Sequence, residues 1–442
     1  MTDSAVVALT SFGVAFAMSW LVQPHFRNLG FLTDIVDHPG HRRPHREPVP
    51  RTGGMAIFIS FFCALFFLER VIFGTPLPWS WLSVLIGAGL AILALGVGDD
   101  RFGIHAEKKL YGQLVVVMGL MLLGHRLDTV VLPAVGRVDL GAWAWPLTLF
   151  WYLGFINSMN LIDGLDGLAS GISAVATLAL VVIAMVVADA VSLLFAAALC
   201  GATVAFFYWN ISDRKIFLGD SGSMWMGLAV GSLTLNFSQR TDVPLPVLLA
   251  PMIVPIWDTL TTIVRRYRKR TSIFQADDYH LHHRLVRLGF SPGAAVLCLL
   301  LITAGTTLFA LSHVLEAAWL GLPALGAWMW ASQLGALRHL NNRRRGMDLF
   351  TEVGYALGFD SRFEETAGLS DRHVAEIIDL QAKRPRKAVP GRVAVQGPGR
   401  AAQGRVAQGP GRVLEHPASS AGAAPFSRRP EDAVYTSSED VS

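Results

Sequence analysis

The sequence predicts an all-α, polytopic integral membrane protein with about eleven transmembrane helices and a disordered C-terminal tail. Three observations predict it. Apolar residues make up 52% of the 442 and charged residues only 16%, and mean hydropathy is +0.44 with a long polar tail included, a composition foreign to ordinary soluble domains. The apolar residues are gathered into runs able to cross a hydrocarbon core about 30 Å thick, which takes about 20 residues of helix. The dense polar clusters fall in the gaps between those runs, at Asp99-Asp100, Asn157 to Asp166, Phe217 to Ser223 and Asp277 to His283.

In chain order the runs are 4–24, 53–73, 81–98, 113–132, 141–156, 168–188, 191–209, 222–237, 243–264, 293–312 and 317–337. The first has no basic segment before it and no small-residue cleavage pattern after it, so it reads as a retained helix. If every run crosses, all four polar clusters share one membrane face; that depends on the short runs 141–156 and 222–237. The gaps 25–52, 99–112, 157–167, 210–221 and 265–292 hold 17 Lys and Arg residues, including Arg42, Arg43, Arg46 and the stretch Arg265 to Arg270. The alternate gaps hold only Arg70, Arg126, Arg137 and Arg240. That bias assigns the first set to the cytoplasm and the N-terminus to the opposite side. The net charge of +4 is thus mainly a topology signal, with attraction for anionic headgroups added. Cys63, Cys200 and Cys298 lie within apolar runs and read as packing residues rather than a disulfide or zinc framework.

Three regions follow: a membrane domain over 1–340, a cytoplasmic segment over 341–382, and a tail over 383–442. The middle region has short amphipathic stretches around Phe350 to Leu357 and His373 to Leu380. The tail repeats Gly-Pro-Gly-Arg and Gln-Gly units and ends in Ser437, Ser438, Glu439 and Asp440 before its last two residues. So few large apolar residues cannot offset the entropy of ordering, so the tail is expected to stay a solvated extension, with no nucleic-acid partner.

The polar clusters carry the chemistry. Asp99 and Asp100 close the third run; adjacent carboxylates repel, which suits a cation or a proton acceptor, the alternative being a solvated helix end. Lys108, Lys109 and Gln113 follow, where ammonium groups can meet phosphate. Asn157, Asn160, Asp163 and Asp166 repeat every third residue, and on a straight helix their direction drifts by roughly 60° per step. Gly164 and Gly167 permit a break, so a loop or unwound helix end around a polar ligand fits better than a polar turn. Gly219, Asp220, Ser221 and Gly222 open the eighth run, offering backbone N–H groups to a phosphate and a carboxylate to a divalent ion. A serine-hydrolase reading of that tetrapeptide lacks the strand-turn context it requires.

His280, His282, His283 and Arg284 lie in the longest cytoplasmic gap. The imidazoles suit zinc, phosphate or sugar, or a plain polar surface, but the Asp and Asn clusters are hard oxygen donors that fit Mg²⁺ or Mn²⁺ better. Contacts to substrate diphosphate are therefore the favoured role of the histidines. Asp258, inside the ninth run, is an intramembrane acid: a functional candidate, or a partner of Arg265 or Arg266.

Together these residues resemble the polyprenyl-phosphate N-acetylhexosamine-1-phosphate transferases. The resemblance runs from about residue 25 to about 337. It is carried, in the family's order, by Asp37 to Arg43 with His45 leading to Gly53-Gly54, Asp99-Asp100 with Lys109 and Gln113, Asn157 to Gly167, Asn210 ten residues before Asp220, and His280 to His283. His280 to Arg284 followed by Leu288, Gly289 and Phe290 is similar to the WecA/TagO branch rather than the MraY branch.

The resemblance implies transfer of a sugar-1-phosphate, most simply GlcNAc-1-phosphate, from a UDP-N-acetylhexosamine to undecaprenyl phosphate, with release of UMP and a need for Mg²⁺, or Mn²⁺ in its place. It implies a multi-pass protein of the bacterial inner membrane with a cytoplasmic active site and tail and a periplasmic N-terminus, working in cell-envelope polysaccharide synthesis such as O-antigen, with homodimerisation open. By the same resemblance Asp99, Asp100, Asp163 and Asp220 are the catalytic acids, with Asp220 and Asp99 on the metal. One of Asp99 and Asp100 takes the lipid phosphate's proton, and covalent attack by an Asp stays open. His45, Lys109, Asn157, Asn160, Asp166, Asn210, His280, His282, His283 and Arg284 bind substrate, with Asn160 and Asp166 on the uridine side. The sugar could equally be another N-acetyl or deoxy-hexosamine. An ion-coupled transporter would carry its acids near the midplane and show an inverted repeat, and a metal hydrolase would carry His-Glu-x-x-His; neither feature is in the sequence.

Overall fold

The computed structural model describes residues 2–39, 47–73, 77–272 and 279–316. The chain divides into two units, Met1–Arg384 and Pro385–Ser442, and every described residue belongs to the first. The run 317–337, the segment 341–382, the tail and His45 lie outside the described residues.

The first ten apolar runs all contain helix. In order these are α1 (Thr2–Leu32), α2 (Gly53–Phe67) continued by a π-helical stretch Leu68–Phe73, α3 (Trp79–Phe102), α4 (Ala106–Leu122), α5 (Ala144–Ile162), α6 (Leu168–Val186), α7 (Ala190–Ile211), α8 (Gly219–Arg240), a broken span of α9 (Leu245–Leu249) and α10 (Ile253–Arg268), the short α11 (Leu281–Arg287), and α12 (Pro292–Val314). The chain is a polytopic all-α membrane protein, and seven spans among the described residues are long and apolar enough to cross a bilayer by themselves. α4, α5 and α8 are not among those seven.

The two short runs prove to be full-length helices. α5 has 19 residues and α8 has 22, or about 28 and 33 Å at 1.5 Å per residue. α8 is weakly apolar because it faces protein rather than lipid: Ser221, Ser223, Ser232, Thr234 and Ser238 are all buried. Helices that bury hydroxyls against neighbours need no hydrocarbon-facing surface.

α8 is the central post, packed between α3 and α5 and touched by α2, α6 and α7. Small residues permit the approach. A Cβ on Gly54 would lie 1.9 Å from the Gly222 Cα, and one on Gly96 would lie 2.2 Å from the Ser221 Cα. The extended lead-in to α2 is sewn to the lead-in of α8 by Phe217 N to Pro50 O (2.7 Å), Gly53 N to Phe217 O (3.0 Å) and Gly54 N to Leu218 O (3.1 Å).

Two antiparallel hairpins depart from the all-helical expectation. β1 (Val36–Asp37) pairs with β2 (Val49–Pro50), and β3 (Thr129–Leu132) pairs with β4 (Gly136–Asp139). The second corrects the expected run 113–132: the helix occupies Ala106–Leu122 and the β-branched Thr129, Val130 and Val131 go into a strand. Hydropathy alone does not separate a short apolar strand from a helix end. The hairpin sits at the far end of α8, where Gln239 Oε1 accepts from Asp128 N (3.1 Å) and Thr129 N (3.2 Å) and Arg137 Nη2 donates to Thr241 O (2.6 Å).

Because α8 can be approached only where side chains are absent, Gly54→Val and Gly96→Val are expected to cost at least the ~1–3 kcal/mol typical of overpacking. Gly87, with open space around its position, serves as the control through Gly87→Ala. Thermal midpoints in detergent should fall for the first two and hold for the third; equal midpoints for all would mean these helices do not touch.

Candidate active site

Four helix ends meet at one end of α8. Asp99 and Asp100 come from the last turn of α3, Lys109 from the first turn of α4, Asn157 and Asn160 from the last turns of α5, and Asp220 from the first turn of α8. The helices bring these ends together because consecutive crossings alternate direction, so polar residues in alternate gaps gather on one face.

Asp100 fixes the frame. Its Oδ1 accepts from Asp220 N (2.9 Å) and its Oδ2 from Ser221 N (3.1 Å), satisfying two of the orphan amides of the α8 N-terminus with a charge of the right sign for the helix dipole. The side chain is fully buried, with Arg51 Nη1 3.7 Å away. Arg51 also pairs with Asp37, which ties β1 to the same corner.

Lys109 is the centre of the cluster. Its Nζ donates to Asp99 Oδ2 (2.6 Å), Asp220 Oδ2 (3.0 Å) and Asn160 Oδ1 (3.1 Å). Asn160 Nδ2 donates to Asp220 Oδ1 (2.9 Å) and Ser223 Oγ (3.0 Å). Asp99 Oδ1 accepts from Ile104 N (2.7 Å), holding the turn between α3 and α4. Of the acids, Asp220 has the more open side chain, at 34% exposure against 9% for Asp99.

The rest of the polar loop divides into two kinds of residue. Asn157 Nδ2 donates to Gln113 Oε1 (2.7 Å), and Gln113 Nε2 reaches Met224 Sδ (3.1 Å), so this pair joins α4, α5 and α8. Asn210 is a clamp: its Oδ1 accepts from Gly167 N (2.6 Å) and Ser170 Oγ (3.3 Å), and its Nδ2 donates to Ile216 O (3.1 Å). It joins α6, the end of α7 and the lead-in to α8, with its side-chain amide engaged on the protein. Asp166, in the loop, pairs with Lys215 at the partly exposed rim. Asp163 follows the last residue of α5; burial pushes its carboxyl well above the usual range, and the carboxylates of Asp220, Asp100 and Asp166 add to it against the opposing Arg51.

The histidines approach the loop from the other side. His282 is buried, with neither ring nitrogen hydrogen-bonded among the described residues, and it packs on the loop at Gly164, where a Cβ would meet its Nε2 at 2.1 Å. Burial holds its pKa well below the ordinary value, and His283 and His280 depress it further. His283 lies beside it, ring centroids 4.1 Å apart. His280 Nδ1 is 2.8 Å from Asp258 Oδ2, so the partner of the intramembrane acid is a histidine, not the Arg265 or Arg266 that was one of its two readings. The buried Arg284 donates through Nε to Tyr279 O.

Among the described residues no three His, Cys, Asp or Glu side chains form a metal-ligand set. The oxygens that converge are those of Asp99, Asp220 and Asn160, and a cation, the Lys109 ammonium, stands among them. That hard-oxygen donor set fits Mg²⁺ or Mn²⁺ rather than zinc. Arg51 is a site residue the sequence did not single out, its one signal being its place beside Gly53-Gly54, and Ser223 lay in the Phe217 to Ser223 cluster without a role of its own.

The family described as Glycosyl transferase family 4 matches residues 81–238. A Bacillus subtilis protein named probable undecaprenyl-phosphate N-acetylglucosaminyl 1-phosphate transferase is 31% identical over 310 residues, covering 68% of this chain and 84% of its own length. A Mycolicibacterium smegmatis decaprenyl-phosphate N-acetylglucosaminephosphotransferase is 32% identical over 359 residues, covering 74% of this chain and 82% of its own. A Salmonella typhi undecaprenyl-phosphate alpha-N-acetylglucosaminyl 1-phosphate transferase is 29% identical over 286 residues, covering 63% and 76%.

Two outcomes test this geometry. Asp100→Ala removes the acceptor of two helix-terminal amides and is expected to cost about 1–3 kcal/mol, whereas Asp99→Ala, which leaves that cap intact, should lower the thermal midpoint less; the reverse order would contradict the capping role. His282 is neutral in the fold while an unfolded histidine titrates near 6.5, so its contribution is complete above that pH. It is lost as pH falls below about 6.5 towards the depressed folded value, by up to about 1.4 kcal/mol per pH unit. Denaturation midpoints measured between pH 7.5 and 5 should fall more steeply in the wild type than in His282→Gln.

Proposed function

The chain belongs to glycosyl transferase family 4, and from that premise we propose that it transfers N-acetylhexosamine-1-phosphate, most simply GlcNAc-1-phosphate, from a UDP-sugar to undecaprenyl phosphate with release of UMP. It is a membrane-embedded phosphotransferase. The observation that carries the finer reading is Lys109, held between Asp99, Asp220 and Asn160 where four helix ends meet. Joining two anionic phosphates demands cationic groups fixed before the substrates arrive, so that no reorganisation accompanies reaction.

The residues divide the work. Both oxygens of Asp100 are engaged by backbone amides of α8, whereas Asp99 is held at one oxygen by Ile104 N and at the other by the Lys109 side chain, which can turn to a phosphate; Asp99 is therefore the acid of the pair suited to accept a proton from the lipid phosphate. Lys109 binds and orients phosphate oxygens. Asp220 and Asp99 would hold Mg²⁺, which when bound supplies charge neutralisation to the diphosphate. Asn157, Asn160 and Asp163 line the nucleotide side, with Asp166 at the rim. His45, from the segment before α2, and His283 complete the substrate contacts expected of the family. The arginine bias of the loops supports a cytoplasmic site and a periplasmic N-terminus. The lipid then enters from the inner-membrane bilayer and the nucleotide from the cytosol, at the first committed step of a cell-envelope polysaccharide such as O-antigen.

Asp220→Asn in native membranes is expected to lower transfer of labelled GlcNAc-phosphate from UDP-GlcNAc by at least on the order of 10²-fold, with the protein still folded and inserted. EDTA should stop the wild type and Mg²⁺ or Mn²⁺ restore it. Wild-type turnover by the variant, or recovery with Zn²⁺ alone, would remove the metal assignment, and mass spectrometry of the lipid product from a panel of UDP-sugars would identify the sugar.

A further inference from the structure

Asp258 sits in α10 with a side chain almost wholly buried. A carboxylate at that depth is costly unless its oxygens are satisfied. Both are: Oδ2 lies 2.8 Å from His280 Nδ1, and Oδ1 accepts from Leu281 N at 2.8 Å. A carboxylate accepting at both oxygens requires a proton on Nδ1 of the His280 ring, which turns the Nε2 edge away from Asp258. The Leu281 amide belongs to the first residue of α11, so the same carboxylate fixes both the ring and the helix that carries it.

The effect does not stop at His280. Its ring lies parallel to that of His282, within 5° at a centroid separation of 5.9 Å. His282 in turn seats on Gly164, between Asp163 and Asp166. A chain of contacts therefore runs from an acid inside a membrane span, through two parallel imidazoles, to the polar loop.

We propose that Asp258 is a positioning residue for phosphosugar transfer: it fixes the tautomer and ring plane of His280, and thereby the seating of the adjacent His282 on the loop at Gly164. The proposal rests on the transferase reading. It differs from a purely adhesive role, in which Asp258 only joins α10 to α11, because an amide in its place separates the two. Asp258→Asn retains an oxygen for Leu281 N but turns an NH₂ group towards His280 Nδ1, which then has to accept and carry its proton on Nε2.

The experiment uses full-length protein in membranes with ¹⁵N-imidazole-labelled histidine, His280→Gln serving to assign the His280 signals. The wild type is expected to show protonated Nδ1 on His280, and Asp258→Asn to show protonated Nε2. The variant's kcat should fall by roughly 10- to 100-fold, as for loss of an outer partner that orients a functional histidine, with a smaller change in KM for UDP-sugar. Asp258→Glu should recover part of the rate, and Asp258→Asn should add little to His280→Gln. A wild-type His280 protonated on Nε2 overturns the proposal even if the variant fails to fold. So does Asp258→Asn at wild-type kcat, or a loss of rate wholly additive with that of His280→Gln. Failure of the wild type to transfer any sugar phosphate would instead remove the transferase reading, and the nitrogen spectra would still report the Asp258–His280 pair.

Discussion

The site depends on one interaction, the carboxylate of Asp100 across the N-terminus of α8. Two amides that the helix cannot satisfy itself are bonded by an acid from the end of α3, and the consequence is positional. Once α3 and α8 are locked end to end, the residue before Asp100 and the residue at the start of α8 must face the same space. Asp99 and Asp220 are therefore neighbours by construction, and Lys109 from the next helix is the cation that lets them stay together. The glycine contacts along α8 serve the same end, since Gly96 could not pass Ser221 with a side chain.

The broken span and the short α11 add a second lock on the opposite side of the loop. Asp258 bonds the α11 N-terminus through Leu281 N as Asp100 bonds that of α8. In both cases a buried acid from one span satisfies the first amides of another helix. Within a membrane protein this solves two problems with one group, because the buried charge and the orphan amides would each be costly alone. It also makes the polar loop a piece held from two sides rather than a free connector.

Much of this was legible in the sequence, for a definable reason. Asp99, Lys109, Asn160 and Asp220 were picked out by type and by alternate-gap placement, and threading apolar runs is enough to gather such residues on one face. What pairs with what was not legible. Asn210 stands ten residues before Asp220, yet nothing local indicates that its amide serves Gly167 and Ile216. Asp258 lies about two turns from Arg265 and Arg266, a proximity that leaves an ion pair open, whereas nothing local to Asp258 points to His280, 22 residues away in sequence. The run at 113–132 failed because hydropathy treats Val130 and Val131 alike in a strand and a helix. α5 and α8 looked short because their buried polar residues lower hydropathy without shortening the helix.

The charges at the site are unevenly distributed, whatever motif the residues belong to. Among the described residues, Asp99, Asp100, Asp163 and Asp220 face Lys109 and Arg51 as cationic partners. Asp163 relieves part of the imbalance, since its carboxyl is pushed towards the neutral form. Asp99 and Asp220 still share the one Lys109 ammonium between them. A site of that sign repels phosphate, and bringing two phosphates to it would add like charge in a poorly screened space. Asp100 cannot be relieved by substrate, being committed to α8, and Arg51 is already shared with Asp37. The imbalance is thus concentrated on Asp99 and Asp220, the acids joined by Lys109, and it is there that a divalent ion would turn a repulsive pocket into an attractive one.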